Sequence, residues 1–424
     1  MNANSFALRG TVCCSDEQRR LRTWEDAFVV CEDGLCAGVF PELPERFRGI
    51  PVEDHSGRLL LPGMSDLHVH APQYAFRGLG MDEELIQWLN HQTFPEEAKY
   101  SVLYYAQRAY SIFAEDLRNS PTTRVCAFAT IHTPATLLLM ELLEKAGLCG
   151  YVGKVNMDRN APVYLLEPSV EEAVSQTRLW LDACGGFRRI KPILTPRFVP
   201  SVTDALMAQL SILQKEYRLP VQSHLSENLS EVEWVRELSP ESACYGDAYQ
   251  RFDLFGGEVP TVMAHCVYSS QPELERMAER RVFMAHCPAS NTNLASGIAP
   301  VRRFLDLGIP VGLGSDVAGG QSLSLFRAIT DAIQCSKLRW RLVDQSLAPL
   351  TMEEAFYLAT RGGGAFFGKV GAFEKGFAFD ALVVDDAPAR TTLSLTPRQR
   401  LERALYLERD TSIVSKYVDG TRLF

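Results

Sequence analysis

Histidine is scarce in this chain, with eight residues in 424. Long apolar runs are missing as well. No stretch of about 18 apolar residues occurs, so no membrane-spanning helix is expected. The first twenty residues, "MNANSFALRGTVCCSDEQRR", lack the basic start and apolar core of an export signal. There is no basic excess: 43 Lys and Arg face 52 Asp and Glu, for a net charge of −9. That balance argues against a nucleic-acid scaffold, whose phosphate contacts need a basic surface. The eleven cysteines contain no Cys-x-x-Cys and are scattered and odd in number. They read as reduced thiols of a cytoplasmic protein rather than as a disulfide framework. Cys266 and Cys287 each follow a histidine, in "MAHCVYSS" and "MAHCPASN". Strand alternation turns each thiol away from that histidine, which favours burial as a small apolar side chain.

What is present is an ordinary globular composition, 46% hydrophobic and 22% charged, in a chain long enough for more than one domain. The middle alternates helical patterns with short apolar runs. "SVEEAVSQTRLWLDAC" (169–184) opens on a capping box from Ser169 to Glu172. "ALMAQLSILQKEY" leads into "LPVQSHLSEN", "PELERMAER" into "VFMAHCPASN", and "VRRFLDLG" into "IPVGLGSDVAGG". Repeated helix-to-strand order implies parallel strands with crossover helices, either a (β/α)8 TIM-like barrel or a doubly wound open sheet. Both ends read differently. Residues 1–65 and 365–424 carry short strand-like pieces, and 371–424 shows no crossover-helix pattern. We expect them to form one small β-sandwich domain beside an α/β barrel spanning 66–364.

The only His-x-His, His68 and His70, lies in "LPGMSDLHVH". Side chains alternate along a strand, so both imidazoles face one side, as a divalent metal requires. Chance alone would supply about 0.15 such pairs in a chain of this composition, so the motif needs company. It has company. His224 follows "LPVQS", His265 follows "VPTVMA", His286 follows "RVFMA", and Asp316 follows "IPVGLGS". Taken singly, each could be a core histidine or a helix cap. Together they put metal-competent groups at the ends of successive strands, where a parallel barrel builds its site.

At these residues the sequence resembles the amidohydrolase superfamily and, within it, the guanine deaminase family, over nearly the whole chain. The superfamily pattern lies in "PGMSDLHVH", the later isolated histidines, "GLGSD", "ATRGGGAFFG" and "GAFEKGFAFDALVVDD". The narrower pattern lies in "HAPQYAFRGLGMD", "WLNHQTFPEE", "GKVNMDRNAP", "TPRF" and "HLSEN". One departure is Leu67, which stands before His68 where the family usually has Thr, at a position not expected to ligate. The resemblance implies one metal ion per chain, usually Zn2+ with Fe2+ as the other candidate, held by His68, His70, His224 and Asp316. It places His265 beside the metal's water or completing the metal's shell, and makes a homodimer the expected assembly. His286 reads as support for its strand end, and Lys154 as structural. His55, His91 and His132 match no metal position.

The chemistry implied is hydrolytic deamination of guanine to xanthine and ammonia. Zinc brings the pKa of a bound water to about 7. Glu227 in "HLSEN", otherwise a helix-starting acid, is the expected proton shuttle to the ring. Asp316 accepts the water proton, and His265 orients the nucleophile and stabilises the alkoxide. His224, Glu227 and Asp316 also border the substrate. Arg197 suits the purine carbonyl, Phe198 its ring face, and Gln73 can donate and accept along its edge. Trp88 and Phe94 are expected to pack a lid. The alternatives are a related deaminase or chlorohydrolase acting on 8-oxoguanine, another purine or a triazine, and a non-catalytic assembly protein. The retained ligands and acid argue against the last, and the absent Pro-Cys-x-x-Cys excludes a cytidine-deaminase-type site.

Overall fold

The computed structural model describes residues 5–424. Four strands open the chain: β1 (Ser5–Ser15), β2 (Leu21–Glu32), β3 (Leu35–Phe40) and β4 (Val52–Pro62). Ten follow in the middle: β5 (Met64–His70), β6 (Thr122–Phe128), β7 (Cys149–Gly153), β8 (Val155–Asn156), β9 (Ile190–Pro192), β10 (Thr195–Pro196), β11 (Val221–Leu225), β12 (Thr261–His265), β13 (Phe283–His286) and β14 (Val311–Leu313). The chain ends with β15 (Ala381–Asp385), β16 (Ser412–Val418) and β17 (Thr421–Arg422).

Of the middle strands, β8 pairs with β10 separately, and the other eight form a parallel sheet in the order β11-β12-β13-β14-β5-β6-β7-β9. Its end strands do not share a continuous ladder. They are joined by one isolated parallel bridge between Leu194 and Val221, with Leu194 N donating to Pro220 O at 2.9 Å and Gln222 N to Leu194 O at 3.0 Å. Pro192 and Pro196 flank this join. Neither has an amide hydrogen to offer a ladder.

Helices return the chain between strands, as the periodicity predicts. The expected 205–217 helix is Asp204–Tyr217, capped by Thr203, and the 272–280 helix is Gln271–Arg280. Helix Val170–Ala183 carries only half of its expected capping box. The Ser169 side chain accepts from Glu172 N, while the Glu172 carboxylate is engaged forward with Gln176 Nε2 at 3.0 Å.

Both termini share one seven-stranded sheet, β17-β16-β15-β4-β1-β2-β3. It takes the place of the expected sandwich. The sheet curls over its own apolar face, so Phe6 on β1 and Tyr417 on β16, three strands apart, bring their rings to 5.6 Å. The curl carries β3 back to the segment before β15, where Leu35 bridges Ala378. The C-terminal region also contains a helix, Pro397–Tyr406, which the β-like reading of 371–424 overlooks. Its signals are local: a capping box from Thr396 to Gln399, Pro397 at the first position, and buried Leu401, Ala404 and Leu405 on one face.

Candidate active site

The site forms where the parallel strands end. His68 and His70 lie on the last turn of β5's pleat, and both Nε2 atoms approach Asp316 Oδ1, at 3.3 and 3.6 Å. The expectation that the two imidazoles share a face is therefore met. The loop after β14 is stitched back onto β5. Asp316 N donates to His68 O at 2.8 Å, and His70 N to Val317 O at 3.0 Å. Asp66, fully buried, ties the same elements together, accepting from His68 N at 3.2 Å, Ser315 N at 3.0 Å and Ser315 Oγ at 2.5 Å. Close approach explains "GLGSD": a Cβ on Gly314 would lie 2.9 Å from His68 Cβ.

His224, on β11, points its Nε2 at His70 Nε2, 3.2 Å away. Its Nδ1–H donates to Arg197 O at 2.6 Å, which fixes the tautomer and leaves Nε2 as a lone pair. Burial, then the neighbouring imidazoles, hold His70 and His224 well below the usual histidine range, so both are neutral. Burial lowers His68 too, against the pull of Asp316. His265, on β12, differs. Burial opposes its charge, but the carboxylates of Glu227 and Asp316 outweigh that and raise it. Its Nε2 lies 3.4 Å from Glu227 Oε2 and 3.7 Å from Asp316 Oδ2, and Nδ1 meets Asn291 Oδ1 at 2.8 Å.

The two carboxylates are pushed in opposite directions. Burial raises Glu227, with help from Glu231 and Asp316, even though His265 and the Ser296 hydroxyl pull the other way. Burial also acts on Asp316, but His68 and His265 overcome it and hold the group below the usual carboxylate value. Oppositely shifted acids in one cleft suit proton donor and proton acceptor roles. Glu227 is not the helix-starting acid. That helix is Leu229–Leu238, capped by Asn228 with Glu231 closing the box.

Backbone strain gathers here. Ser226, His265, Cys266 and Asp316, all at strand ends, have φ of 48°, 74°, 50° and 44°. Such left-handed geometry in non-glycine residues costs about 1–3 kcal/mol each and is held by the surrounding structure.

A cavity of about 440 Å³, its open mouth included, joins these groups to the expected substrate readers. Its lining includes His70, His224, Glu227, His265 and Asp316 together with Gln73, Arg197 and Phe198. Trp88 lines it as well, with its Nε1–H on Leu79 O at 3.2 Å. Phe94 instead lies beneath the Arg197 guanidinium, 5.6 Å away. Phe198 meets His224 and Trp234 edge-on.

Other expectations sort cleanly. His286 is buried outside the cavity lining, with Nδ1 unpaired. His91 is exposed beside Glu83 at 3.1 Å. Lys154 is buried in an ion pair with Glu167 at 2.5 Å. Cys287 is buried as expected, but its sulfur lies within 4.8 Å of ligand atoms on His265 and Asp316. Turning away from His286 turns it toward the site. Four participants are not singled out by the sequence reading: Asp66, Asn291, Glu231, and Glu97, which bonds both Gln73 and Arg197.

The donor set fits a divalent cation. His68, His70 and Asp316 offer atoms within 4.8 Å of one another, as do His68, His224 and His265. His68 Nε2 and His70 Nδ1 are buried without a hydrogen bond among the described residues, and lone pairs crowded at 3.2 Å repel unless a cation or proton lies between them.

An amidohydrolase family model matches residues 59–423. The guanine deaminase of Dictyostelium discoideum is 38% identical over 381 residues, covering 88% of this chain and 84% of that one. That of Escherichia coli (strain K12) is 33% identical over 395 residues, covering 90% and 86%. The crystal structure of guanine deaminase from C. acetobutylicum, with guanine bound in its active site, superposes with a TM-score of 0.96 at 44% identity, covering 99% of this chain and all of that one. The chain therefore belongs to the amidohydrolase family and, within it, to the guanine deaminases.

Proposed function

We propose that this chain hydrolyses guanine to xanthine and ammonia, using zinc held by His68, His70, His224 and Asp316. A divalent ion so placed supplies Lewis acidity, which brings the pKa of a coordinated water to about 7. The remaining work belongs to side chains. Asp316, held ionised by its imidazole neighbours, accepts the proton of the attacking water. Glu227, pushed up to about 7 by burial, delivers a proton to the ring nitrogen beside the amino-bearing carbon. Oε2 is the oxygen aimed into the site, 3.4 Å from His265 Nε2. His265 orients the nucleophile and steadies the oxyanion as it develops. On the purine itself, Arg197 donates to the carbonyl, Gln73 reads the ring edge, and Phe198 covers a face. Leu85, Trp88, Leu89 and Leu294 line the same cavity and limit its water.

We also take residues 1–65 and 365–424 as one unit, with 66–364 as a barrel closed through the Leu194–Val221 bridge. The assignment is supported by the separation of β1–β4 and β15–β17 from the sheet that carries the site.

The observation that carries the functional reading is the polarity of a single cavity. Imidazoles and oppositely shifted carboxylates share its lining with an amide and a guanidinium. The test is ammonia release from guanine, 8-oxoguanine, adenine, cytosine and ammeline, with and without added zinc, alongside elemental analysis. Guanine should be the best substrate, and active protein should carry about one divalent ion per chain. Preference for another ring, two tightly bound ions, or activity with none would count against the reading.

A further inference from the structure

We infer that Glu97 is a positioning residue that decides which charge state of a purine the cavity holds. It would do so by neutralising Arg197 and fixing the amide of Gln73. The inference rests on the deaminase reading above.

Glu97 is outside the cavity lining and is 2% exposed. Each of its oxygens has one partner from the recognition end. Oε2 accepts from Arg197 Nη1 at 2.8 Å, and Oε1 from Gln73 Nε2 at 2.9 Å. Gln73 Oε1 accepts in turn from Ala318 N at 3.3 Å. An amide held by a donor on one side and a carboxylate on the other has a single orientation. Its oxygen faces Ala318, its nitrogen faces Glu97, and one N–H remains for a ring. Carboxylate, guanidinium and amide thus form one unit across 100 residues of sequence between Glu97 and Arg197.

The charges matter as much as the geometry. Arg197 is 3% exposed, and Glu97 is its one ion-pair partner among the described residues. The adjacent Glu96 is taken by Lys99, at 2.6 Å, and by the Tyr105 hydroxyl. A buried guanidinium without a counter-charge seeks an anion. Paired with Glu97, it offers its free N–H groups with no net charge. Guanine is a neutral ligand near pH 7. The dioxopurine product carries a second ring carbonyl and loses a ring proton more readily. An electroneutral recognition end therefore holds the substrate and gives no advantage to the product anion.

The experiment is Glu97→Gln in the metal-loaded protein. The substitution keeps the size, removes the charge, and sets an amide N–H against the Gln73 N–H. We expect KM for guanine to rise about tenfold or more, with kcat within about threefold and metal content unchanged. Inhibition by xanthine should strengthen, relative to wild type, as pH rises through the range where xanthine ionises. A purely structural role would lower kcat and melting temperature without changing that pH profile. KM within twofold of wild type, or a wild-type xanthine profile, would overturn the inference. If the Gln variant does not accumulate, Glu97→Asp carries the test. It keeps the charge but shortens the reach, so KM should rise while the xanthine profile stays wild-type; unchanged KM or a shifted profile overturns the proposal. A wild-type protein that releases no ammonia from guanine defeats the deaminase reading and this inference together. An active wild type with an indifferent Gln variant defeats the inference alone.

Discussion

Two buried nitrogens mark opposite ends of the parallel strands. Lys416 Nζ, where the terminal sheet meets the strand starts, donates to the carbonyls of Leu117, Arg118, Ser120 and Thr122. Beside it, Arg124 grips both oxygens of Asp380, at 2.7 and 2.9 Å. At the strand ends, His68 Nε2 has no hydrogen bond, and the backbone at His265 and Asp316 is left-handed. Lys416 and His68 are both buried, so exposure of these side chains does not explain the contrast. One end is assembled so that every strong donor named here has an acceptor. The other keeps lone pairs open and backbone strained, as a site that must bind something does.

This contrast can be broken from either side. The largest effect is expected at Glu227. Glu227→Gln keeps shape but cannot deliver a proton, so single-turnover conversion of guanine should fall about a hundredfold or more. Zinc content and melting temperature should hold. Turnover near wild type would remove Glu227 from the chemistry, and lost zinc would move it into the metal shell. Asp380→Ala tests the other end. Arg124 would keep only the partly exposed Asp419 as counter-charge, and Asp419 N would lose its acceptor, so the change should cost about 3–5 kcal/mol of stability by denaturant titration, with kcat/KM per folded molecule unchanged. A loss of activity without loss of stability would show that the two ends are coupled.

Arg197→Ala returns to the site. It should lower kcat/KM for guanine by the equivalent of about 2–5 kcal/mol while metal content stays constant. Normal guanine hydrolysis would rule Arg197 out as the carbonyl reader. The smallest effect is expected for Lys416→Met, which leaves carbonyls at the end of helix Leu103–Asn119 without their donor. A loss of about 1–3 kcal/mol in stability is expected, again with unchanged kinetics. A neutral outcome would mean those carbonyls find other partners.

The sequence made the convergence at the strand ends legible because each of those residues closes its own apolar run. His68, His70, His224, His265 and Asp316 can each be read from about ten neighbouring residues. The groups that hold them could not be read that way. Asp66 reaches Ser315 across 249 positions, and Glu97 looks like a first-turn acid of the short helix Phe94–Ala98. Their partners are set by how the strands assemble, which no local window contains. The same limit produced the fold-level differences. Strand-rich termini suggested two layers, but one sheet curls enough to bury its own face. The helix Pro397–Tyr406 was legible from its cap and was obscured by its β-rich surroundings.

That curl has a bearing on how the molecule behaves in a crowd. An open sheet has two rims of unpaired peptide groups, each able to recruit a strand from another chain. Here one rim is β17, two residues long. The other is β3, whose first residues are already engaged within the molecule: Cys36 N donates to Phe377 O at 2.7 Å, and Gly376 N to Cys36 O at 2.8 Å. By folding one rim back upon its own chain, the terminal sheet leaves little template for intermolecular strand addition. Resistance to aggregation at high concentration should therefore depend on the Leu35–Ala378 contact, far from any residue that touches a purine.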